Sequence, residues 1–398
     1  MEAEFHKGNR QRLALSLDGS VFVATAYYKL QSSNDAAHDF IQEANFLWLT
    51  GIEESGWRLV IDGARGKSIL VSPEMSEMAR IFDGGLTDES ALRLSGADEV
   101  ITSDQFESYL RNVARKHTVV YTIKDVSNHD FVLNPALEDL HSVLSRIFTS
   151  VLPCNDVLAR FRAIKQPAEI AAIKKAIVTT IHGFEKVKQS INDISFEYEV
   201  EAILGYEFRK KNAKHAYAPI VAAGRNACTL HYAKNESRIR ANELVLIDVG
   251  ARVNGYAADV TRTYLKGTGS RRRREVHQAV EAAHHDIVAM IKPGLAVKDY
   301  LSAVDTRMKQ ALREVGLIQD MHDDKAYRRY FPHAISHGLG IDVHDSLGKP
   351  EVFQENMVLT VEPGIYVPDE GIGVRIEDDI LITSNGSKNL SGALSTGM

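Results

Sequence analysis

Over roughly the first 150 residues, short apolar runs alternate with stretches whose apolar positions recur every three or four residues. Val21–Ala26, Phe46–Leu49, Trp57–Ile61 and Ser68–Ser72 read as strands, and Glu74–Phe82, Asp104–Arg115 and Glu138–Thr149 as helices. Such alternation predicts an α/β layer domain. A boundary falls between Pro153 and Gln166, and Pro167 suits the first turn of a new helix. Ile170, Ile173, Ile177, Ile181 and Phe184 give that helix one apolar face. A second runs from Phe196 to Lys211 with Val200, Ile203, Leu204 and Phe208 inward. Tyr217–Ala223 and Cys228–Tyr232 look like strand pieces. A further helix pair follows: Glu275–Ile291, stopped by Pro293-Gly294, and Val297–Val315, with Leu301, Val304, Met308 and Leu312 in its stripe and Gly316 at its end. From Ser336 to Thr383 the chain returns to short β segments. The order helix–helix–β–helix–helix–β hints at two related halves.

One stretch departs from the plain pattern. In LVLIDVGARVNGYAADVTRT, Leu244–Thr263, two acids interrupt runs that otherwise read as buried strands: Asp248 and Asp259. Asn254-Gly255 between them is a strong hairpin signal. A four-residue loop, Arg252–Gly255, would set Asp248 directly opposite Asp259, with both side chains on one face. Two carboxylates in a sheet core repel and lose hydration unless cations or protons neutralise them. Hard divalent ions are the usual remedy. Taken alone, the pair could equally be one turn residue and one exposed residue.

Composition narrows the function classes. A formal net charge of −6 gives no reason to expect nucleic-acid binding. The two cysteines, Cys154 and Cys228, form neither a zinc spacing nor a disulfide framework and read as small buried side chains. The polar start MEAEFHKGNRQR has no signal-peptide core, and no apolar run approaches a membrane span, so a cytoplasmic setting is expected. The four arginines at Arg271–Arg274 read as a solvated loop and helix start rather than an anionic-partner patch.

Three further clusters join the aspartates. His333, His337 and His344 lie within twelve residues around a glycine-rich turn, Glu362 follows an apolar run, and Glu377 sits in a β-like segment after Arg375. His231 lies upstream. Each alone is weak. Together they read as a pool of carboxylates and imidazoles at strand ends, whose negative charge two divalent cations would balance. Oxygen ligands with one imidazole suit Mn²⁺, Co²⁺, Zn²⁺ or Fe²⁺.

At this point the chain resembles a known family. Residues from about 165 to 385 look like the pita-bread metallopeptidases: the ordered set Asp248, Asp259, His337, Glu362, Glu377 matches that family's five metal ligands, in the contexts HGLGIDVHD, VEPGIY and VRIEDD. The first domain, including NFLWLTGIEESGW, resembles that of the creatinase, prolidase and aminopeptidase P branch. The implied architecture is α+β with two domains, an amino-terminal α/β creatinase-like domain at 1–155 and a pita-bread catalytic domain at 165–398. The resemblance implies that Asp248 holds one metal, that His337 and Glu362 hold the other, and that Asp259 and Glu377 bridge them. A water or hydroxide between the ions would be the nucleophile. Glu362 would be the proton acceptor, with His231 and His344 as catalytic hydrogen-bond donors to the substrate. His333 and Arg375 would bind substrate, Arg375 through its carboxylate, and Tyr217 matches an active-site tyrosine. Two divalent ions, Mn by preference with Co or Zn as alternatives, and a homodimer are implied as well. The favoured activity is an Xaa-Pro dipeptidase (prolidase) acting on small peptides. The alternatives are an aminopeptidase P, which cuts longer Xaa-Pro peptides, and more remotely metal-free creatinase or a non-catalytic binding module on the same fold. Departures from the family's pattern are Arg252-Val253 where many relatives carry Glu-Tyr, and Trp48, which lies near but not at a tryptophan position of aminopeptidase P.

Overall fold

The computed structural model describes residues 1–124 and 132–398. The chain divides into two compact units, Met1–Ala159 and Arg160–Met398.

Among the described residues, the first unit has a six-stranded sheet, in the order Glu99–Thr102, Lys67–Ser72, Arg58–Asp62, Val21–Thr25, Val119–Thr122, Ser150–Pro153. Arg58–Asp62 pairs antiparallel with Lys67–Ser72 on one side and Val21–Thr25 on the other, and the other three pairings are parallel. Val21, Val23, Val60 and Ile69 pack there against Phe106, Leu110 and Leu144 from the helices Ser103–Ala114 and Ala136–Ile147. Phe46–Leu49 is not a strand. It lies in the helix Ala44–Thr50, where the Glu43 carboxylate accepts the Phe46 N–H at 2.6 Å and Gly51 ends the helix at φ 71°. A short, fully buried apolar run has no period by which helix and strand differ. Trp48 is wholly buried in this helix. A helix that the polar pattern hides, Ala3–Ser16, opens the unit.

The second unit holds two helix pairs, each packed on its own strands. Pro167–Ser190 and Glu197–Lys210 bury Phe184, Val187, Val200, Leu204 and Phe208 against Val245, Ile247 and Val260. Arg271–Met290 and Val297–Glu314 bury Val276, Val280, Ile287, Val304 and Met308 against Leu359, Ile365, Val374 and Ile380. The four arginines form the first turn of their helix. Ser270 caps it, Arg271 pairs with Glu275 at 2.7 Å, and Arg272 pairs with Glu370 at 2.8 Å. In the next helix Tyr300 fills the stripe, and Leu301 is 47% exposed. Cys228–Tyr232 is not a strand: Cys228 ends the 3-10 turn Gly224–Cys228, and residues 229–232 continue as a turn and loop. Residues 336–357 form loops with isolated bridges, and β structure resumes only at Val358–Val361.

The strands Leu244–Val249 and Val260–Leu265 pair antiparallel, and Ile220–Ala223 adds a third on the far side of the first. Their register corrects one expectation. Asn254 and Gly255 alone make the turn, at φ 51° and 80°, with Val253 opposite Tyr256. Asp248 therefore faces Thr261, not Asp259. A slip of two residues preserves the face, so both carboxylates still point to the same side. The two halves of the unit meet where Thr261 forms an isolated bridge with Glu377.

Candidate metal centre and active site

Asp248 and Asp259 come from the hairpin, Glu362 from the end of Val358–Val361, and Glu377 from the link between Ile372–Arg375 and Asp378–Ile382. His337 comes from the loop before Val358. The structure brings all five together. Asp248, Asp259 and Glu377 place one oxygen each within 4.8 Å of one another, and so do the donor atoms of His337, Glu362 and Glu377. Glu377 is common to the two groups. A third group at the same spacing joins Asp259 and His337 to His344, which therefore stands close enough to be a ligand itself.

The surroundings fix these groups from behind. His337 Nε2 lies 3.4 Å from Asp259 and 3.6 Å from Glu362, and its Nδ1 lies 3.0 Å from the Gly338 carbonyl. The Thr360 hydroxyl accepts the His337 N–H at 3.2 Å. Thr261 donates to Glu377 Oε2 at 2.7 Å. The Asp259 N–H donates to Asp379, a fully buried acid that the sequence reading left aside.

Charge makes the arrangement costly without cations. Burial raises Asp248, and burial followed by the charges of Asp259 and Glu362 raises Glu377 well above the usual carboxylate range. Burial pushes Glu362 up to about 7. Burial opposes a charged His337, but the Asp259 hydrogen bond and the charges of Asp259 and Glu362 outweigh it and raise the imidazole to about 9. Tyr217 lies 2.5 Å from both Asp248 Oδ1 and Asp259 Oδ1. One hydroxyl proton serves only one of those contacts, so the other oxygen needs a proton or a cation of its own. Four carboxylates and an imidazole sharing so little positive charge fit a pair of hard divalent ions.

The residues expected on the substrate side divide. His333 belongs to the cluster: its Nε2 lies 2.8 Å from the Tyr366 hydroxyl, its Nδ1 lies 3.5 Å from Glu362, and burial followed by the Arg375 charge lowers it to about 4. His344 is exposed as a residue while its ring is partly covered, with its centroid 4.2 Å from that of His337, and that cover followed by the His337 charge lowers its pKa. His231 is exposed on the loop after the 3-10 turn, near enough to His333 and His344 that a charge on it would act on both. Arg375 stands differently from its implied role. It is 4% exposed, and its guanidinium donates to Asp248 Oδ2 at 2.6 Å, to the Tyr366 hydroxyl at 2.7 Å and to Thr261 at 3.3 Å. In the structure its fork holds a ligand-side carboxylate, Asp248. The alternation Asp259, Thr261, Thr263 was the signal that could have found Thr261; Tyr366 and Asp379 sat inside quoted motifs without being singled out.

Such a cluster, carboxylate-rich with one imidazole and shared oxygens, defines a metal-dependent hydrolase site. The chain belongs to metallopeptidase family M24, whose pattern matches residues 171–384, and the pattern of the aminopeptidase P N-terminal domain matches residues 6–121. It is 30% identical to the Xaa-Pro aminopeptidase of Escherichia coli (strain K12), over 98% of this chain and 95% of that one. It is 31% identical to Xaa-Pro aminopeptidase 3 of Homo sapiens, over 90% and 75%. Among solved structures, a putative aminopeptidase P from Bacillus anthracis superposes with a TM-score of 0.90 at 30% identity, covering 99% of this chain and 96% of that one. Aminopeptidase P from E. coli with the inhibitor Pro-Leu gives 0.89 at 27% identity, covering 99% and 96%. The two-domain, pita-bread architecture is thus established. These four relatives bear the aminopeptidase name, not the dipeptidase one.

Proposed function

We propose that the chain is an Xaa-Pro aminopeptidase, releasing the amino-terminal residue from peptides whose second residue is proline. The observation that carries this reading over the dipeptidase is the full-length likeness to Xaa-Pro aminopeptidases, first domain included. Arg375 supports it independently, since a dipeptidase reading asks that side chain to hold the substrate carboxylate and here it is buried on Asp248.

In this reading Asp248, Asp259 and Glu377 would hold one ion, and His337, Glu362, Asp259 and Glu377 would hold the other. Two divalent ions, when bound, supply a water of lowered pKa and polarise the scissile carbonyl. The protein's own groups do the rest. Glu362, beside the site where that water would stand, accepts its proton and returns it to the proline nitrogen. His231 and His344 donate to the carbonyl oxygen as negative charge develops on it. His333 lines the space for the residue after the cut. Tyr217 and Arg375 keep the two aspartates in place. The bond before proline is a tertiary amide without an N–H, and none of these groups needs one. Mn²⁺ as the resident ion, a cytoplasmic setting and a homodimer belong to the same reading.

Assays of Xaa-Pro and Xaa-Pro-Xaa peptides across added Mn²⁺, Co²⁺ and Zn²⁺ test it. The longer peptide is expected to be cut and the dipeptide left intact. Cleavage of the dipeptide alone restores the dipeptidase.

A further inference from the structure

The loop 338–345 carries His344 and leads out of His337, yet it contains neither helix nor strand. Discrete contacts give it its shape. Its ends are tied by the Asp345 N–H to the Gly338 carbonyl at 2.8 Å. The Asp345 carboxylate is buried between Arg162 at 2.9 Å and Lys165 at 3.2 Å. At the middle of the loop stands Arg252, from the metal hairpin. Its Nη1 donates to the Ile341 carbonyl at 2.5 Å and to the Gly255 carbonyl at 2.9 Å, and its Nη2 to the Ala216 carbonyl at 3.3 Å.

Those three carbonyls lie in three separate segments, each of which bears on the site. Ala216 precedes Tyr217, whose hydroxyl touches both aspartates. Gly255 is in the turn between those aspartates. Ile341 lies between His337 and His344. We propose that Arg252 is a positioning residue that staples these segments together and acts on the reaction through His344. A planar guanidinium can address several carbonyls at once in fixed directions; an ammonium is a compact point charge that cannot hold that fork. The effect on catalysis rests on the peptidase reading above, whereas the effect on the loop does not.

Arg252→Met and Arg252→Lys test it, in the full chain. In metal-free protein, amide hydrogen exchange across 338–345 is expected to quicken in Arg252→Met, with Arg252→Lys intermediate and the thermal midpoint little changed. With the longer peptide, Arg252→Met is expected to lower kcat at least about tenfold, the scale of a small misplacement at a reacting centre, with KM within about twofold. Added to His344→Ala, it is expected to cost nothing further, because both changes remove one action. Full multiplicativity with His344→Ala overturns the route through that histidine. Unchanged exchange in 338–345 overturns the staple, whatever the substrate proves to be. If Arg252→Met fails to fold, the same two readouts on Arg252→Lys decide: wild-type exchange and kcat there reject the proposal.

Discussion

At the scale of single residues, the site depends on groups that bind nothing themselves. Thr261 is the strongest case. It is fully buried; its hydroxyl donates to Glu377 at 2.7 Å, and its carbonyl accepts the Glu377 N–H at 3.0 Å. Side chain and backbone of one candidate ligand are thus fixed by one residue. Its neighbour Arg262 donates all five N–H groups, to the carbonyls of Thr261, Glu377, Leu394 and Ser395 and to Asp378 at 2.6 Å. Thr261→Val keeps the shape and deletes the hydroxyl, leaving a buried carboxylate oxygen short of its donor. Metal affinity, read by chelator competition, is expected to fall about 10- to 100-fold, the usual cost of losing a group that orients a ligand. Unaltered affinity would show that the Glu377 backbone alone holds the carboxylate.

Among the elements, the metal hairpin is decided by backbone contact. Gly250 lies between the pairs Val249–Val260 and Arg252–Ala257, and a Cβ built on it would lie 1.6 Å from the Ala258 carbonyl oxygen. No rotamer relieves a clash with backbone, so the two arms of the hairpin would have to part beside Asp259. Gly250→Ala is expected to destabilise the second unit by at least about 2 kcal/mol in chemical denaturation. Gly386→Ala, in the same unit with nothing within 4 Å of its Cβ, is expected to stay within about 0.5 kcal/mol of wild type. Equal midpoints for the two variants would contradict the register argument. The hairpin also marks what sequence can and cannot convey. Asn254-Gly255 announces a turn, and the period of two announces the shared face, so the pairing of the two aspartates on one side was legible. The loop length was not, because only the two-residue turn that matches strand twist sets the register, and the sequence offered a four-residue alternative of the same parity. His337, Glu362 and Glu377 were legible through their motif contexts. The helix pairs were legible because their apolar stripes are long. Phe46–Leu49 was misread because a seven-residue buried helix carries no period. The contacts of Arg375 were not legible, because its partners, Asp248 and Tyr366, lie 127 and 9 positions away and meet it only in the fold.

For the molecule as a whole, the two units differ in what they bury, and the first depends on a neutral histidine. The face of Ala3–Ser16 that turns inward is His6, Asn9, Arg10 and Leu13, helically spaced but mostly polar. That is why hydropathy hides the helix. These side chains close the ends of two other helices: His6 Nδ1 and Asn9 meet the Trp48 carbonyl at 3.0 Å each, and Arg10 donates to the carbonyls of Leu49 at 2.7 Å, Ser95 at 2.9 Å and Gly96 at 2.8 Å. Last-turn carbonyls have no partner within their own helix, so this polar face answers a need that an apolar one would leave unmet. Burial lowers His6 from 6.5 to about 4, against the opposing effect of its hydrogen bond to Trp48. The unfolded chain therefore takes up this proton before the folded one does. Stability from the neutral ring is complete above pH 6.5 and is lost as pH falls toward 4, by up to about 3 kcal/mol. Both tryptophans of the chain, Trp48 and Trp57, are buried in this unit, so indole emission follows its unfolding and not that of the metal-binding unit. His6→Gln keeps a donor for the Trp48 carbonyl but cannot titrate. Between pH 7 and 4.5 the wild-type unfolding free energy read from that emission is expected to drop about 2 kcal/mol more than the variant's. Parallel curves would mean that the ring is protonated in the folded unit as readily as in the unfolded chain.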